Sequence, residues 1–223
     1  MKEAIILIPP SEGKVEGGNL PPLDEINETT LSLIEQIQSQ SKHLEKFYGL
    51  KEKALKKAIQ TNKEILEAKT CSALERYSGV VYKAIDVATI KNKKDLGLIY
   101  IFSPLFGIIG SNTPIPNYKF KIDKLKAIRL WEPINTKFLE NKFVIDLMPK
   151  TYEKAIHYDD GIKVEFILLK NGKKMPAGHQ GKHIKGRFIR WMIETKSFDP
   201  KGFNTFSEEG YKWKGTHFEK IIS

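Results

Sequence analysis

Cysteine is almost missing: Cys71 stands alone among 223 residues. A single thiol closes no internal disulfide and builds no cysteine-based zinc site. Long apolar runs are missing too. The longest, GLIYIFSPLFGIIG (97–110), is broken by Ser103-Pro104 and falls short of the ~20 residues that span a bilayer. The apolar stretch after Met1-Lys2-Glu3 is brief and ends in Pro9-Pro10, which does not read as a secretory leader. A cytoplasmic protein with no membrane partner is expected. Acidic residues are the third shortage: 27 Asp and Glu face 37 Lys and Arg, a formal net charge of +10. A basic excess suits an anionic partner when it is clustered, so its placement decides.

Nucleotide and triad signatures are absent. AIILIPPSEGKVEGG (4–18) runs from an apolar strand into a loop with Gly13-Lys14, which suggests a phosphate loop. A Walker loop needs a glycine five residues before its Gly-Lys pair and a Ser or Thr after it. Ile8 and Val15 occupy those places, and Pro9 and Pro10 remove two amide donors. There is no nucleophile elbow and no paired-glycine fingerprint. His179 and His183 are four apart, but no third ligand stands nearby, and no 2-His-1-carboxylate spacing occurs. Neither a metal nor any other cofactor is expected.

What is present fits one mixed α/β (α+β) domain over 1–223, a mixed sheet surrounded by helices. Residues 4–8, LGLIYIF (96–102) and FVIDLM (143–148) are continuous apolar runs, the pattern of central strands covered on both faces. KVEFILLKNGKKMPAG reads as a hairpin turning at Asn171-Gly172, and residues 210–218 as an edge strand. Helices are expected after a cap at Asn27 or Thr29, with the stripe Leu31, Ile34 and Ile37. Others are expected over NKEILEAKTCSALERY, over Val80 to Asp86 and over KHIKGRFIRWMIET.

Three segments could carry chemistry. LEKFYGLKEKALKKAI (44–59) loosely follows the helix-hairpin-helix pattern, in which backbone amides at a glycine turn meet a DNA phosphate. Lys51, Lys53, Lys56 and Lys57 crowd the second helix of this hairpin, which spans about 43–60. In GHQGKHIKGRFIRW (178–191), Ile184, Phe188, Trp191 and Met192 form an apolar stripe, and His183, Arg187 and Arg190 share another face. Lys182, Lys185 and Gly186 sit where a helix start would favour an anion, and a mid-helix glycine, costing about 1 kcal/mol, implies a close approach. ERYSGVVYKAID (75–86) offers Arg76, Tyr77, Gly79 and Tyr82, and SPLFGIIGSNTPIPNYKF adds Ser103, Gly107, Pro116 and Tyr118 beyond a strand end.

Taken together, IPPSEGK, RYSGVVYKAID, SPLFGIIGSNTPIPNYKFKI, VIDLMPKTYEKAI, GKHIKGRFIRWMIE and GFNTFSEEGYKW, in that order, resemble the YaaA family of bacterial peroxide-stress proteins over nearly the whole chain. Gly110 and Lys119 stand where members usually carry arginine, which weakens any bidentate grip there. The resemblance implies a compact α/β fold, a positively charged cleft, binding of double-stranded DNA without sequence preference, and protection against peroxide partly by limiting free iron. Charge and position then nominate Lys14, Arg76, Tyr77, Tyr82, Lys182, Lys185, Arg187 and Arg190 as cleft residues, beside the hairpin lysines. The alternative is an enzyme acting on a nucleotide, nucleobase or other small anion in the same cleft. Glu12 would be its base, Lys14 or Arg76 its anion partner, and Tyr82 a further catalytic candidate.

Overall fold

The computed structural model describes residues 2–91 and 93–222. Strand β1 (Glu3–Ile8) is its axis: Ile5, Ile6, Leu7 and Ile8 are all fully buried. Because side chains alternate across a strand, Ile6 and Ile8 enter one core while Ile5 and Leu7 enter another. Helices α1 (Glu28–Gln38), α2 (Leu44–Tyr48) and α3 (Glu52–Lys63) follow. Asn27 is the α1 cap, its side chain accepting from the Thr30 amide at 2.9 Å. The buried α1 stripe is Leu33, Ile34 and Ile37; Leu31, expected inside, faces solvent.

Next come β2 (Cys71–Ser72), α4 (Ala73–Arg76) and α5 (Val80–Ile85). The continuous helix expected over NKEILEAKTCSALERY is therefore corrected. Leu20 and Thr70 exchange backbone hydrogen bonds at 2.9 and 3.1 Å, and the buried Thr70 hydroxyl donates to the Pro21 carbonyl at 2.7 Å. That long-range pairing overrides local helix preference.

Strands β3 (Ile99–Ser103), β4 (Gly107–Gly110) and β5 (Pro114–Ile115) precede α6 (Ala127–Leu139) and β6 (Lys142–Asp146). Pro133 inside α6 leaves the Arg129 carbonyl without its helical donor, and this helix was not legible in the sequence. The last elements are β7 (Gly161–Lys163), β8 (Glu165–Lys170), β9 (Lys173–Pro176), α7 (Gly178–Thr195), β10 (Lys212–Trp213) and β11 (His217–Ile222).

The central sheet has the order β4-β3-β1-β6-β7, parallel apart from β4. All three apolar runs lie at its centre, as the mixed α/β reading requires. The hairpin turns at Asn171 and Gly172, both with positive φ, but it builds a second sheet, β10-β11-β8-β9. In that sheet β11 is interior and pairs parallel to β8, so β10 is one edge and β9 the other. Phe166 stacks on Phe218 at 5.0 Å within the sheet, and Phe188 of α7 meets Phe218 at 5.0 Å, sealing this sheet to α7. The close approach implied by Gly186 is that of α5: an added Cβ would lie against the Val81 carbonyl oxygen and 2.6 Å from the Ala84 Cβ.

Candidate functional site

The carboxyl ends of β1, β3 and β6 open onto one region, as ligand sites do in α/β sheets. The chain leaves β1 through Pro9-Pro10 and enters the loop Ser11–Lys14. Three hydrogen bonds fix that loop. The Tyr82 hydroxyl donates to the Pro9 carbonyl at 2.7 Å, the Ser78 amide to Gly13 at 3.0 Å, and the Val15 amide to Arg76 at 2.8 Å. The last two make an antiparallel bridge between Lys14 and Tyr77. Gly79 lets the loop pack close: an added Cβ would strike the Ser11 hydroxyl and force that side chain to turn away.

Arg76 corrects the sequence reading. It is 0 % exposed, and its guanidinium donates to the carbonyls of Val15, Ile115 (3.2 Å) and Lys69 (3.2 Å). It ties three chain segments together and has no surface from which to grip an anion. Tyr77 and Tyr82 are buried as well. Tyr77 holds the Tyr118 hydroxyl at 2.8 Å, and Tyr118 holds the Ser103 hydroxyl at 2.8 Å. Ser103 accepts from the amides of Leu105 (3.3 Å) and Phe106 (3.1 Å), closing the chain on the end of β3. Burial pushes the Tyr77 phenol up to about 12 and Tyr118 well above its ordinary value, so both stay neutral near pH 7.

Lys14 lies over this pair. Its ammonium is 4.0 Å from the Tyr118 ring centroid and 5.3 Å from that of Tyr77, and it donates to the Ser11 carbonyl at 3.3 Å. Desolvation, then the charge of Lys119, brings its pKa down to about 7; Glu12 pulls the other way, and Arg76 lowers it further.

Three adjoining cavities surround the loop. One of about 430 Å³ is lined by Ser11, Glu12, Gly79, Tyr82, Lys182 and Lys185. The second, of about 170 Å³, is lined by Lys14, Tyr118, Lys121, Asp123 and Tyr152, and shares Ser11 and Glu12 with the first. In the third, of about 90 Å³, Lys14, Lys119 and Lys121 face Gly49 and Leu50 at the α2–α3 turn. Five lysines and two acids therefore line the three. A separate cavity of about 300 Å³, near Leu20–Asn27, has no lysine in its wall.

The other nominated residues divide. Lys182 is exposed with no acid partner among the described residues. Lys185 donates to the Leu147 carbonyl, and burial lowers its pKa to about 8. Helix α7 starts at Gly178, so Lys182 and Lys185 lie within its body and not at free amides. Arg187 is held by Glu208 through two bonds of 2.7 and 3.1 Å. Arg190 is held by Glu194 at 2.7 Å and by Asp86 at 3.7 Å. Both arginines are thus already neutralised, which corrects their assignment as cleft ligands. Lys57 pairs with Glu16, whereas Lys51, Lys53 and Lys56 are exposed. His183 meets Glu209 at 2.8 Å.

Lys121 was missed in the sequence, and Lys119 was noted only as a departure. The signal was there: Tyr118, Phe120 and Ile122 are buried alternately, which turns Lys119 and Lys121 to the same side.

Fold and site together define a mixed α/β protein with lysine-lined cavities at the carboxyl ends of its parallel strands. The chain belongs to the YaaA family: the family model described as peroxide stress protein YaaA matches residues 4–217. It is similar to a UPF0246 protein of Corynebacterium glutamicum, 32% identical over 83% of each chain. A UPF0246 protein of Streptomyces coelicolor is 26% identical, over 86% of this chain and 83% of its own. An uncharacterized protein of Campylobacter jejuni is 27% identical over 81% of each. The family description ties this protein to peroxide stress. Among the described residues no helix is long and apolar enough to cross a membrane.

Proposed function

We propose that the protein serves in peroxide stress by binding double-stranded DNA, without reading sequence, through a continuous basic cleft formed by the three cavities. One observation carries this reading: Lys14, Lys119 and Lys121 share a cavity with the α2–α3 turn, and Lys182 and Lys185 line the next one across Glu12. The α2–α3 unit is then a helix-hairpin-helix-like element. Gly49, in the left-handed region at φ 66°, caps α2, and Lys51, Lys53 and Lys56 extend the basic surface along α3. Lysines neutralise phosphates as point charges and lack the planar fork that reads guanine, so base discrimination is weak.

A small anionic substrate in the same cleft is the second reading, and the 430 Å³ cavity has room for one. The Glu12 side chain is 86 % exposed, a surface carboxylate and not a base enclosed in a dry pocket, and this favours the open groove.

Titrating labelled duplex against the protein at several salt concentrations tests the DNA reading. A log–log slope of about −3 to −6 is expected if roughly four to six phosphates are neutralised. A flat response, or no binding near ~100 mM salt, overturns it.

A further inference from the structure

We infer that Lys14 is a carbonyl-reactive amine, and that the cleft takes an aldehyde carried beside a phosphate, which condenses with the Lys14 nitrogen to an imine. This goes beyond the DNA-binding reading and does not depend on DNA being the ligand.

The surroundings of the amine carry the inference. Its nitrogen is fixed from below by the Tyr118 ring at 4.0 Å and from behind by the Ser11 carbonyl at 3.3 Å. Among the described residues no carboxylate lies within ion-pair distance of it, whereas the Arg187, Arg190 and Lys57 heads all have one. Lys14 lines the cavity it shares with Ser11, Lys121, Asp123 and Tyr152, and also the one it shares with Lys119. The backbone beneath it is clamped by the Arg76–Val15 contact and the Tyr77 bridge, more positioning than a flexible phosphate-gripping lysine needs. Burial and the Lys119 charge bring the pKa of this amine down to about 7, so that far more of it is free base at neutral pH than in an ordinary lysine. Lys119 donates to the Glu12 carbonyl at 3.0 Å and Lys121 lies 3.9 Å from the exposed Glu12 carboxylate, a long surface contact that a phosphate can replace.

The chemistry closes on itself. The nitrogen lone pair attacks the aldehyde carbon while the carbonyl π electrons move to oxygen, giving a carbinolamine once a proton passes from nitrogen to that oxygen. Its hydroxyl then leaves with the second amine hydrogen as water, and the carbon–nitrogen double bond forms. No oxidant, reductant or metal is consumed. When protonated, the imine is a cation over the Tyr118 face, where the ring quadrupole favours it.

The full chain should be incubated with sodium cyanoborohydride and one of two probes: a duplex bearing a single abasic site, or free deoxyribose 5-phosphate. Reduction converts an imine into a stable secondary amine, and mass spectrometry locates it. Expected is an adduct on Lys14 at least about tenfold above the average lysine, with labelling half-maximal near pH 7. Lys14→Arg should abolish it. Since that variant could misfold, competitive acetylation of the wild-type chain gives the reactivity and titration of Lys14 without any substitution.

An adduct with the duplex alone assigns a DNA-borne aldehyde, and one with the free sugar alone assigns a small ligand; either supports the proposal. Labelling spread evenly over the lysines, or an unreactive Lys14 in both arms, overturns it. If intact duplex binds while Lys14 stays unlabelled, this inference fails and the DNA reading survives. If the free sugar labels Lys14 while no duplex binds, the reverse holds.

Discussion

Asn62 and Lys119 exchange two hydrogen bonds: the Asn62 amide donates to the Lys119 carbonyl at 2.7 Å, and the Lys119 amide donates to the Asn62 side-chain oxygen at 2.8 Å. Asn62 is buried at the end of α3 and also donates to the Tyr48 hydroxyl on α2 at 3.1 Å. One side chain thus docks the helical hairpin on the strip that carries Lys119 and Lys121. Asn62→Leu is expected to cost about 1–3 kcal/mol, because it strands the part-buried amide and carbonyl of Lys119. Urea unfolding measures that cost. Amide exchange around Lys119 should quicken more than exchange in β1 if the docking is local, and a uniform change would contradict it.

Arg76 does for the Lys14 loop what Asn62 does for the hairpin. Arg76→Ala leaves three carbonyl contacts unmade and an internal void, with an expected loss of about 3 kcal/mol or more in urea unfolding. Arg76→Lys should recover only part, since a single ammonium does not reproduce the planar fork. A neutral Arg76→Ala would mean the guanidinium is not the clamp described.

The pH dependence has a definite sign. In the folded protein the Lys14 pKa is about 7, below its unfolded value of 10.5. Between those values the unfolded chain binds the extra proton, so this residue makes stability rise with pH from about 7 to about 10.5. Its burial penalty is fully present below pH 7 and is relieved by pH 10.5. Lys14→Met removes that contribution. Its advantage over wild type in urea midpoint should therefore shrink as pH rises through this window, and a constant difference would contradict the depressed pKa.

Gly186 gives a test with opposing local terms. Helix propensity favours Gly186→Ala by about 1 kcal/mol, but the new methyl strikes the Val81 carbonyl and Ala84 on α5. Overpacking of this kind costs about 1–3 kcal/mol, so a net loss is expected. A more stable variant would show that the two helices can part without cost.

Much of this fold was legible because its strands are buried on both faces. The runs around Ile5–Ile8, Ile99–Phe102 and Val144–Leu147 announce central strands without any partner being known. The Asn171-Gly172 turn was legible for a local reason too, since both residues tolerate positive φ. The failures are non-local. Nothing near Ala73–Arg76 in sequence reveals the Leu20–Thr70 pairing, and Pro133 hides α6. Charge was the least readable property: Arg187 looked free because Glu208 is 21 residues away, whereas the Arg190 pair with Glu194, four residues on along the same helix, was open to reading and was passed over. Arg76 looked like an anion ligand because its carbonyl partners belong to three different segments. Lys119 and Lys121 needed only the alternation of Tyr118, Phe120 and Ile122 to be seen.

The most direct test of the central claim compares salt dependence of duplex binding across three variants. Lys119→Ala and Lys182→Ala should each weaken binding regardless of sequence and make the log–log slope shallower by about 1. Arg187→Ala, which removes a cation already held by Glu208, should leave the slope unchanged. Equal effects from all three, or no change in slope with Lys119→Ala and Lys182→Ala, would contradict a phosphate-binding cleft at this site.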